Sequence, residues 1–267
     1  MTIAASVWVP EGIVFASESR QVYENEKHSY RIASDNAQKV FDLSSRTGGV
    51  TYGRAFIDKK SIISLIEEFK ASAKAARKDL DQTPLQEIVN SLGSFLDKVW
   101  HGQTTERSGE ESPELGLIIG GYEGGTSRIF ECSIPGPSII EIGTSQKPGA
   151  AWRGQTDVVT RLILGFDPRI NKLSWFLPNH VDELEKLNYV IRFDAMTLQD
   201  AIDFAIFLIR TTIDMQRFSD GIVLDPGDIP GTGGSIDISI VRPNEGFSWV
   251  QKKELKGETP FRQERVS

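Results

Sequence analysis

The second residue of the chain carries two groups that could work together in catalysis. Thr2 directly follows Met1, and removal of an initiator methionine before a small residue would leave Thr2 at the start of the chain. A terminal threonine has a hydroxyl and a free α-amine on the same residue, and such an amine can activate the hydroxyl as a nucleophile. Thr2 is therefore a candidate nucleophile, provided that other elements complete a site around it.

The composition is that of an ordinary globular protein. The 267 residues are 39% hydrophobic and 25% charged, which is enough apolar material for a sizeable core. The net charge is −7 and no basic stripe stands out, so no nucleic-acid partner is expected. The single cysteine, Cys132, gives no disulfide framework and is expected to be a buried strand residue. We find no signal peptide and no apolar run of about 18 residues, and therefore expect no membrane segment and a cytoplasmic location.

Other kinds of site are not favoured by the sequence motifs. His28, His101 and His180 lack the mutual spacing of metal ligands, so we expect neither a metal nor a cofactor. The glycine-rich stretches at 120–125 and 231–234 match neither a phosphate-binding loop nor a dinucleotide-binding fingerprint. The sequence also has no Gly-x-Ser-x-Gly nucleophile elbow.

The apolar pattern predicts strands and helices that alternate in blocks. The predicted strands are residues 3–9, 13–18, 39–43, 47–53, 115–122, 128–133, 138–142, 235–241 and 247–250. The predicted helices are residues 57–78, 85–99, 155–165 and 196–217, with an irregular helical insertion at 166–195 and polar loops at 21–36, 102–113 and 221–234. This order predicts an α+β fold with a single domain over residues 1–250 and a charged tail over 251–267.

Six motifs occur in a fixed order along the chain. They are residues 2–7 with 11–20, then 36–41, 50–53, 117–122, 196–217 and 234–240. In this order they resemble the proteasome β-type subunits and the simpler bacterial proteasome-like peptidases, which are N-terminal-nucleophile hydrolases. The resemblance touches most of the domain and identifies the chain as a divergent member. It implies a four-layer αββα sandwich of two antiparallel sheets flanked by helices.

The resemblance assigns a role to four residues. Thr2 would supply the hydroxyl, and its own amine would be the general base. Lys39 would lower the pKa of that amine, and Glu18 would hold Lys39 by a charge-assisted hydrogen bond. Gly53 would present its backbone N–H to the developing oxyanion. Glu18 lies 16 positions after Thr2, which agrees with the family spacing.

Two stretches depart from the family pattern. The turn before the middle helix usually carries a serine, but residues 151–154 read Ala-Trp-Arg-Gly. An aspartate and a serine that support the terminal amine usually follow the late helix, but here Phe218 occupies the aspartate position. Ser219 and Asp220 are therefore the candidates for that support, with the register shifted.

The resemblance implies a threonine-type peptidase in a self-compartmentalising homo-oligomer that takes peptides or unfolded proteins as substrates. An ATPase partner is left open. Two alternatives stay open as well. One is a non-catalytic structural or assembly subunit of the same fold, and the other is a small-molecule amidase with the same N-terminal nucleophile.

Overall fold

The structure is a computed structural model that describes residues 2–24, 30–102, 115–176, 180–223, 225–226 and 229–254. Apart from Gly102, the expected polar loop at 102–113 lies outside these residues, as do His28 and residues 255–267 of the expected tail. Gln251, the first residue of that tail, ends the last strand instead.

Within the described residues the chain forms five α-helices and sixteen strands. The helices are α1 (Ile62–Ala75), α2 (Leu85–His101), α3 (Asp157–Leu164), α4 (Val181–Glu185) and α5 (Leu198–Phe218). The strands are β1 (Ile3–Val9), β2 (Gly12–Glu18), β3 (Gln21–Glu24), β4 (Tyr30–Ser34), β5 (Val40–Ser44), β6 (Thr47–Gly53), β7 (Phe56–Ile57), β8 (Lys60–Ser61), β9 (Leu115–Glu123), β10 (Thr126–Ile134), β11 (Ser138–Thr144), β12 (Gly149–Gly154), β13 (Gly221–Ile222), β14 (Asp225–Pro226), β15 (Ile236–Arg242) and β16 (Gly246–Gln251). Two 3₁₀ turns, Pro168–Lys172 and Phe193–Ala195, flank α4.

Ten of the strands build two five-stranded sheets. The first sheet has the order β12-β1-β2-β15-β16, and the second has the order β11-β10-β9-β6-β5. All pairings in both sheets are antiparallel. The other six strands pair as the small hairpins β3–β4, β7–β8 and β13–β14.

The residue pattern of β1 explains why the sheets lie face to face. All seven residues of β1 are buried, and successive side chains of a strand point to opposite faces. Ile3, Ala5 and Val7 pack with α3 and α5, whereas Ala4 and Trp8 pack against the second sheet. A strand that is apolar on both faces has to be covered on both faces, so β1 lies between two layers.

Helices close the outer faces of both sheets. Buried residues of α1 and α2, such as Leu65 and Leu92, pack on the strands of the second sheet. Buried residues of α5, such as Ala205 and Leu208, pack on the first sheet together with Val159 of α3. The predicted four-layer αββα sandwich of the α+β class is therefore confirmed.

The first long helix begins later than the apolar pattern predicts. The expected helix at 57–78 is shortened to α1, because β7 and β8 form a tight hairpin in front of it. Asp58 and Lys59 turn this hairpin with φ of 47° and 65°, in the left-handed region that a helix cannot contain. The Ser61 hydroxyl then accepts a hydrogen bond from the Ser64 N–H and caps α1.

Several strands were not foreseen from the pattern, among them β12 and the hairpins β3–β4 and β13–β14. The expected polar excursion at 21–36 contains the β3–β4 hairpin. The stretch 149–154 forms β12, an edge strand that pairs with β1 over its whole length. Its residues Gly-Ala-Ala-Trp-Arg-Gly show no clear alternation, so only the pairing with the apolar β1 identifies it as a strand.

Gly154, at the end of β12, packs against the main chain of Thr2 just before β1. Its φ is 89°, and a Cβ atom at this position would lie 1.9 Å from the Thr2 carbonyl oxygen. The next residue, Gln155, donates its N–H to that same oxygen at 2.6 Å. No side chain other than hydrogen fits here, because both the backbone conformation and the space exclude one.

We expect Gly154→Ala to lower the free energy of unfolding by about 1–2 kcal/mol through the left-handed backbone and by about 1–3 kcal/mol more through the clash with Thr2. Urea unfolding followed by tryptophan fluorescence measures the loss. Gly125→Ala is the matched control, because Gly125 has a similar φ of 83° but nothing within 4 Å of the point that its Cβ atom would occupy. Equal losses in the two variants would contradict the assigned contact.

Candidate active site

Thr2 lies at the open end of the first sheet, directly before β1. The residue is only 4% exposed. Its carbonyl oxygen is held by Gln155, and Gly154 allows the close approach of the two chains. The main chain of Thr2 is therefore held by contacts on the β12 side.

The Lys39 ammonium group connects Thr2 to Glu18. Its Nζ atom donates to the Thr2 Oγ1 atom at 2.9 Å and to the Arg20 carbonyl oxygen at 2.7 Å. It also forms a short ion pair with the Glu18 carboxylate. Lys39 directly precedes β5 and Glu18 ends β2, so strands from both sheets supply the three groups.

The Glu18 carboxylate is bonded through both of its oxygen atoms. Oε1 faces Lys39, while Oε2 accepts the Arg20 N–H at 2.6 Å and the Gly233 N–H at 3.2 Å. Glu18 is 1% exposed and Lys39 is 7% exposed. Charged groups at such depth are tolerated only when they are paired and hydrogen-bonded, which is the case here.

Burial acts on the protonation of both members of this pair. It lowers the pKa of Lys39 below its ordinary value, although the Glu18 carboxylate opposes the shift. It raises the pKa of Glu18, although Lys39 and the two main-chain N–H groups oppose that shift. Such displaced pKa values at one point beside a cavity are typical of functional sites.

A cavity of about 280 Å³ opens beside Thr2 and Lys39. Its walls come mainly from β6, the β7–β8 hairpin and the start of α1, and most of the lining surface is apolar. Gly53, with φ of 80°, ends β6 at the edge of this cavity. The lining residues are Thr2, Gln21, Ala37, Gln38, Lys39, Thr51, Tyr52, Gly53, Arg54, Ala55, Phe56, Ser61, Ile62 and Ile63.

A second ionic group, which was not predicted, joins the two sheets next to the cavity. Glu131 of β10 accepts two hydrogen bonds from the Arg153 guanidinium of β12, at 2.5 and 2.6 Å. It also accepts the Tyr52 hydroxyl at 2.5 Å. Burial and the neighbouring carboxylate raise the pKa of Tyr52, so this cavity-lining phenol stays neutral.

Ser219 and Asp220, the expected supports of the terminal amine, lie in the turn after α5. The Ser219 hydroxyl donates to the Gly221 carbonyl oxygen and accepts the Gly221 N–H, and Asp220 is exposed. Phe218 is 78% exposed, so its position faces solvent. The structure thus places Thr2, Lys39 and Gly53 around one cavity, with Glu18 behind Lys39, but directs the Ser219 hydroxyl into its own turn.

A different residue of α5 is linked to Thr2 through one intermediate, Gln155. Gln216 donates to the Gln155 side chain at 3.1 Å and accepts both the N–H and the hydroxyl of Thr232 at 2.9 Å. Gln155 is the residue whose N–H holds the Thr2 carbonyl. Gln216 lies two residues before Phe218 on the helix. Gln216 is half-buried, whereas Phe218 is exposed.

In the part of the chain that the structure describes, no three His, Cys, Asp or Glu side chains come together as a possible metal site. Cys132 is buried on β10, as expected, and burial raises the pKa of its thiol to about 11. No helix of the described residues is long and apolar enough to cross a membrane.

We expect Glu18→Gln and Lys39→Met each to lower the free energy of unfolding by about 3–5 kcal/mol, because each leaves one buried charge without its partner. The double variant should lie within about 1 kcal/mol of the wild type, since two neutral groups need no pairing. Urea unfolding of the four proteins measures this coupling. Additive losses would contradict a direct coupling between the two buried charges.

The same comparison has a defined dependence on pH. The raised pKa of Glu18 lowers the stability of the wild type as the pH rises above 4.5, the ordinary value for this group. The lowered pKa of Lys39 restores stability only as the pH approaches its ordinary value of 10.5. The stability of the double variant relative to the wild type should therefore be highest between pH 4.5 and pH 10.5. A difference in stability that does not vary with pH would contradict the two pKa shifts.

Comparison with known proteins shows a likeness of fold. No family model matches the chain, and no curated protein matches it. Among solved structures, the chain is similar to Anbu (ancestral beta-subunit) from Yersinia bercovieri, with a TM-score of 0.54 and 16% sequence identity. The match covers 94% of this chain and 87% of the Anbu chain.

These findings correct one prediction made from the sequence. The chain was identified as a divergent proteasome β-type subunit or bacterial proteasome-like peptidase, and this identification is wrong. No family model and no curated relative supports it, and the relation found is a distant one of fold alone. At 16% identity the likeness extends to the proteasome-like sandwich and not to the activity.

Proposed function

We propose that the chain is a hydrolase of amide bonds in peptides, with the Thr2 hydroxyl as nucleophile after removal of Met1. The observation that carries the proposal is the 2.9 Å hydrogen bond from the Lys39 ammonium to Thr2 Oγ1. Lys39 is itself fixed by Glu18 and by the Arg20 carbonyl, so its charge cannot turn away from the hydroxyl. A buried cation aimed at a side-chain hydroxyl stabilises the alkoxide that forms when the proton leaves.

The reaction would proceed through an ester on Thr2. The free α-amine of Thr2 takes the hydroxyl proton while Oγ1 forms a bond to the substrate carbonyl carbon. The resulting tetrahedral intermediate breaks its C–N bond, and the leaving amine takes the proton from the terminal ammonium. Water, deprotonated by the same amine, then cleaves the ester and releases the acid with Thr2 restored.

Lys39 would serve this sequence in a second way. A chain-terminal amine titrates near 7.7–8.0 in model peptides, about the pH at which the base has to be neutral. A cation held next to Thr2 disfavours a second positive charge and lowers the pKa of the amine. The Glu18 carboxylate would keep Lys39 in place without touching the nucleophile.

Gly53 would provide the oxyanion donor. It lines the same cavity as Thr2, at the end of β6. Glycine adopts its φ of 80° without strain, so the chain can turn at Gly53. The Gly53 N–H would then face the cavity. Loss of one such donor typically costs about 10²–10³ in rate.

The size of the cavity favours a second candidate substrate class. Its volume of about 280 Å³ lies at the lower end of the range for small-ligand sites. A compact acyl group with an apolar surface would fill it, so a small-molecule amide is the alternative to a peptide. Both substrates would use the same residues at Thr2.

A homo-oligomer that encloses the sites forms part of the proposal. Several large apolar side chains of the 166–195 insertion are exposed, among them Trp175, Tyr189 and Val190. Contiguous apolar patches mark association sites on soluble proteins, and in the proposed assembly the subunits contact each other at this insertion. Such an assembly would admit peptides or unfolded chains and exclude folded proteins.

We expect Thr2→Ala to reduce kcat on short fluorogenic peptide amides by at least about 10³-fold, because it removes the nucleophile. Thr2→Ser is the control, since it keeps a hydroxyl and a terminal amine. The panel of substrates should include small acyl amides, so that the preferred class is measured with the same variants. Undiminished activity of Thr2→Ala would overturn the mechanism.

Intact-mass spectrometry of the purified protein accompanies this assay. Loss of Met1 and a covalent adduct of a hydroxyl-directed electrophile, absent from Thr2→Ala, are expected for an N-terminal nucleophile. A chain that keeps Met1 has no free amine on Thr2 and would be a non-catalytic protein of the same fold.

A further inference from the structure

A second lysine lies behind the Lys39–Glu18 pair. Lys253 follows the last strand, β16, and its side chain is only 14% exposed. Its Nζ atom donates to the Ala37 carbonyl oxygen at 2.8 Å and to the Ser19 hydroxyl at 2.9 Å. The third partner is Asp237 of β15, whose carboxylate is 3.2 Å away and 2% exposed.

The partners of Lys253 are sequence neighbours of the candidate catalytic pair. Ser19 directly follows Glu18, and Ala37 precedes Lys39 by two residues. These two partners already meet through a main-chain hydrogen bond, from the Ala37 N–H to the Ser19 carbonyl oxygen at 2.9 Å. Lys253 bridges them a second time with its ammonium group.

The groups around this bridge make further hydrogen bonds. Asp237 accepts the Lys253 N–H at 2.9 Å as well as its ammonium. The Ser19 hydroxyl donates to the Ser235 carbonyl at 2.7 Å, and the Ser19 N–H donates to the Gly233 carbonyl at 3.0 Å. The bridge therefore ties the residue before Arg20, the segment before Lys39 and the start of β15 into one unit.

We propose that Lys253 is a positioning residue for the reaction at Thr2. It clamps the 37–39 segment to the end of β2, and thereby keeps the Lys39 ammonium on the Thr2 hydroxyl. This role rests on the function proposed above and extends the site to the C-terminal side of the chain. Its positive charge, close to Lys39, acts in the same direction as burial and lowers the pKa of Lys39.

The geometry explains why a lysine is suited to this position. The ammonium offers three donors, and the structure provides three acceptors at bonding distance. An apolar residue could fill the space, but it would leave the Ala37 carbonyl and the Asp237 carboxylate without this donor. The 37–39 segment lies outside the regular strands, and the Ala37 carbonyl accepts the Lys253 ammonium within it.

The test is a steady-state assay of Lys253→Met, with the double variant Lys253→Met/Asp237→Asn to avoid a lone buried carboxylate. We expect kcat to fall by about 10- to 100-fold, as for a small misplacement of a catalytic group, with KM unchanged. Lys252→Met is the matched control, because Lys252 is exposed and its Nζ lies over the Trp249 ring at 4.6 Å. A folded variant with the kcat of the wild type would overturn the inference.

Amide hydrogen exchange provides a readout that does not need turnover. In the double variant the Ala37 amide should exchange about 10-fold faster, while amides of the central strand β9 keep the wild-type rate. If the wild type cleaves none of the substrates and Thr2 takes no electrophile, the proposed function fails, and the exchange rate alone decides on the clamp. Unchanged exchange at Ala37 overturns the inference in either case.

Discussion

The contact between Lys39, Glu18 and Thr2 is the interaction on which the candidate site depends. A buried ion pair contributes little net stability, because removing two charges from water costs about as much as their attraction returns. Glu18 nevertheless accepts hydrogen bonds from two main-chain N–H groups in addition to Lys39, and Lys39 donates to a main-chain carbonyl. A pair that is so completely bonded still leaves one lysine donor for a hydroxyl, and therefore holds a cation on Thr2 without contributing much net stability.

The layered fold makes this contact possible. Thr2 and Glu18 belong to neighbouring strands of the first sheet, whereas Lys39 precedes β5 of the second. Stacked sheets are about 10 Å apart, so a group that acts across the gap needs a long side chain. Lysine has that reach. The Arg153–Glu131 pair bridges the two sheets beside the same cavity and also uses a long cation.

Most of the architecture could be predicted from the sequence. The strands β1 and β2 are apolar on both faces and the helices α2 and α5 are amphipathic, so their patterns indicate the element type directly. The edge strand β12 escaped detection, since a distant partner sets its pairing. The convergence of Thr2, Glu18 and Lys39 was expected only from the resemblance in fold, since the strand pattern alone does not say which strand ends meet. Gln216 and Lys253 carry no local signal, because each acts through residues more than 15 positions away. Family membership was predicted wrongly, since short motifs in order report the strand order of a fold that unrelated functions can share.

Both ends of the described chain meet at the candidate site. β1 begins directly after Thr2, and β16 ends two residues before Lys253, with β2 and β15 between them in the first sheet. Ser19 and Ala37 touch Lys253, and their neighbours Glu18 and Lys39 form the pair that reaches Thr2. The groups around the Thr2 hydroxyl are therefore bonded, through Ser19 and Ala37, to a residue that follows β16. The clamp proposed for Lys253 would make the position of the cation on Thr2 depend on the pairing of β15 with β16, although these two strands are far from Thr2 in the sequence.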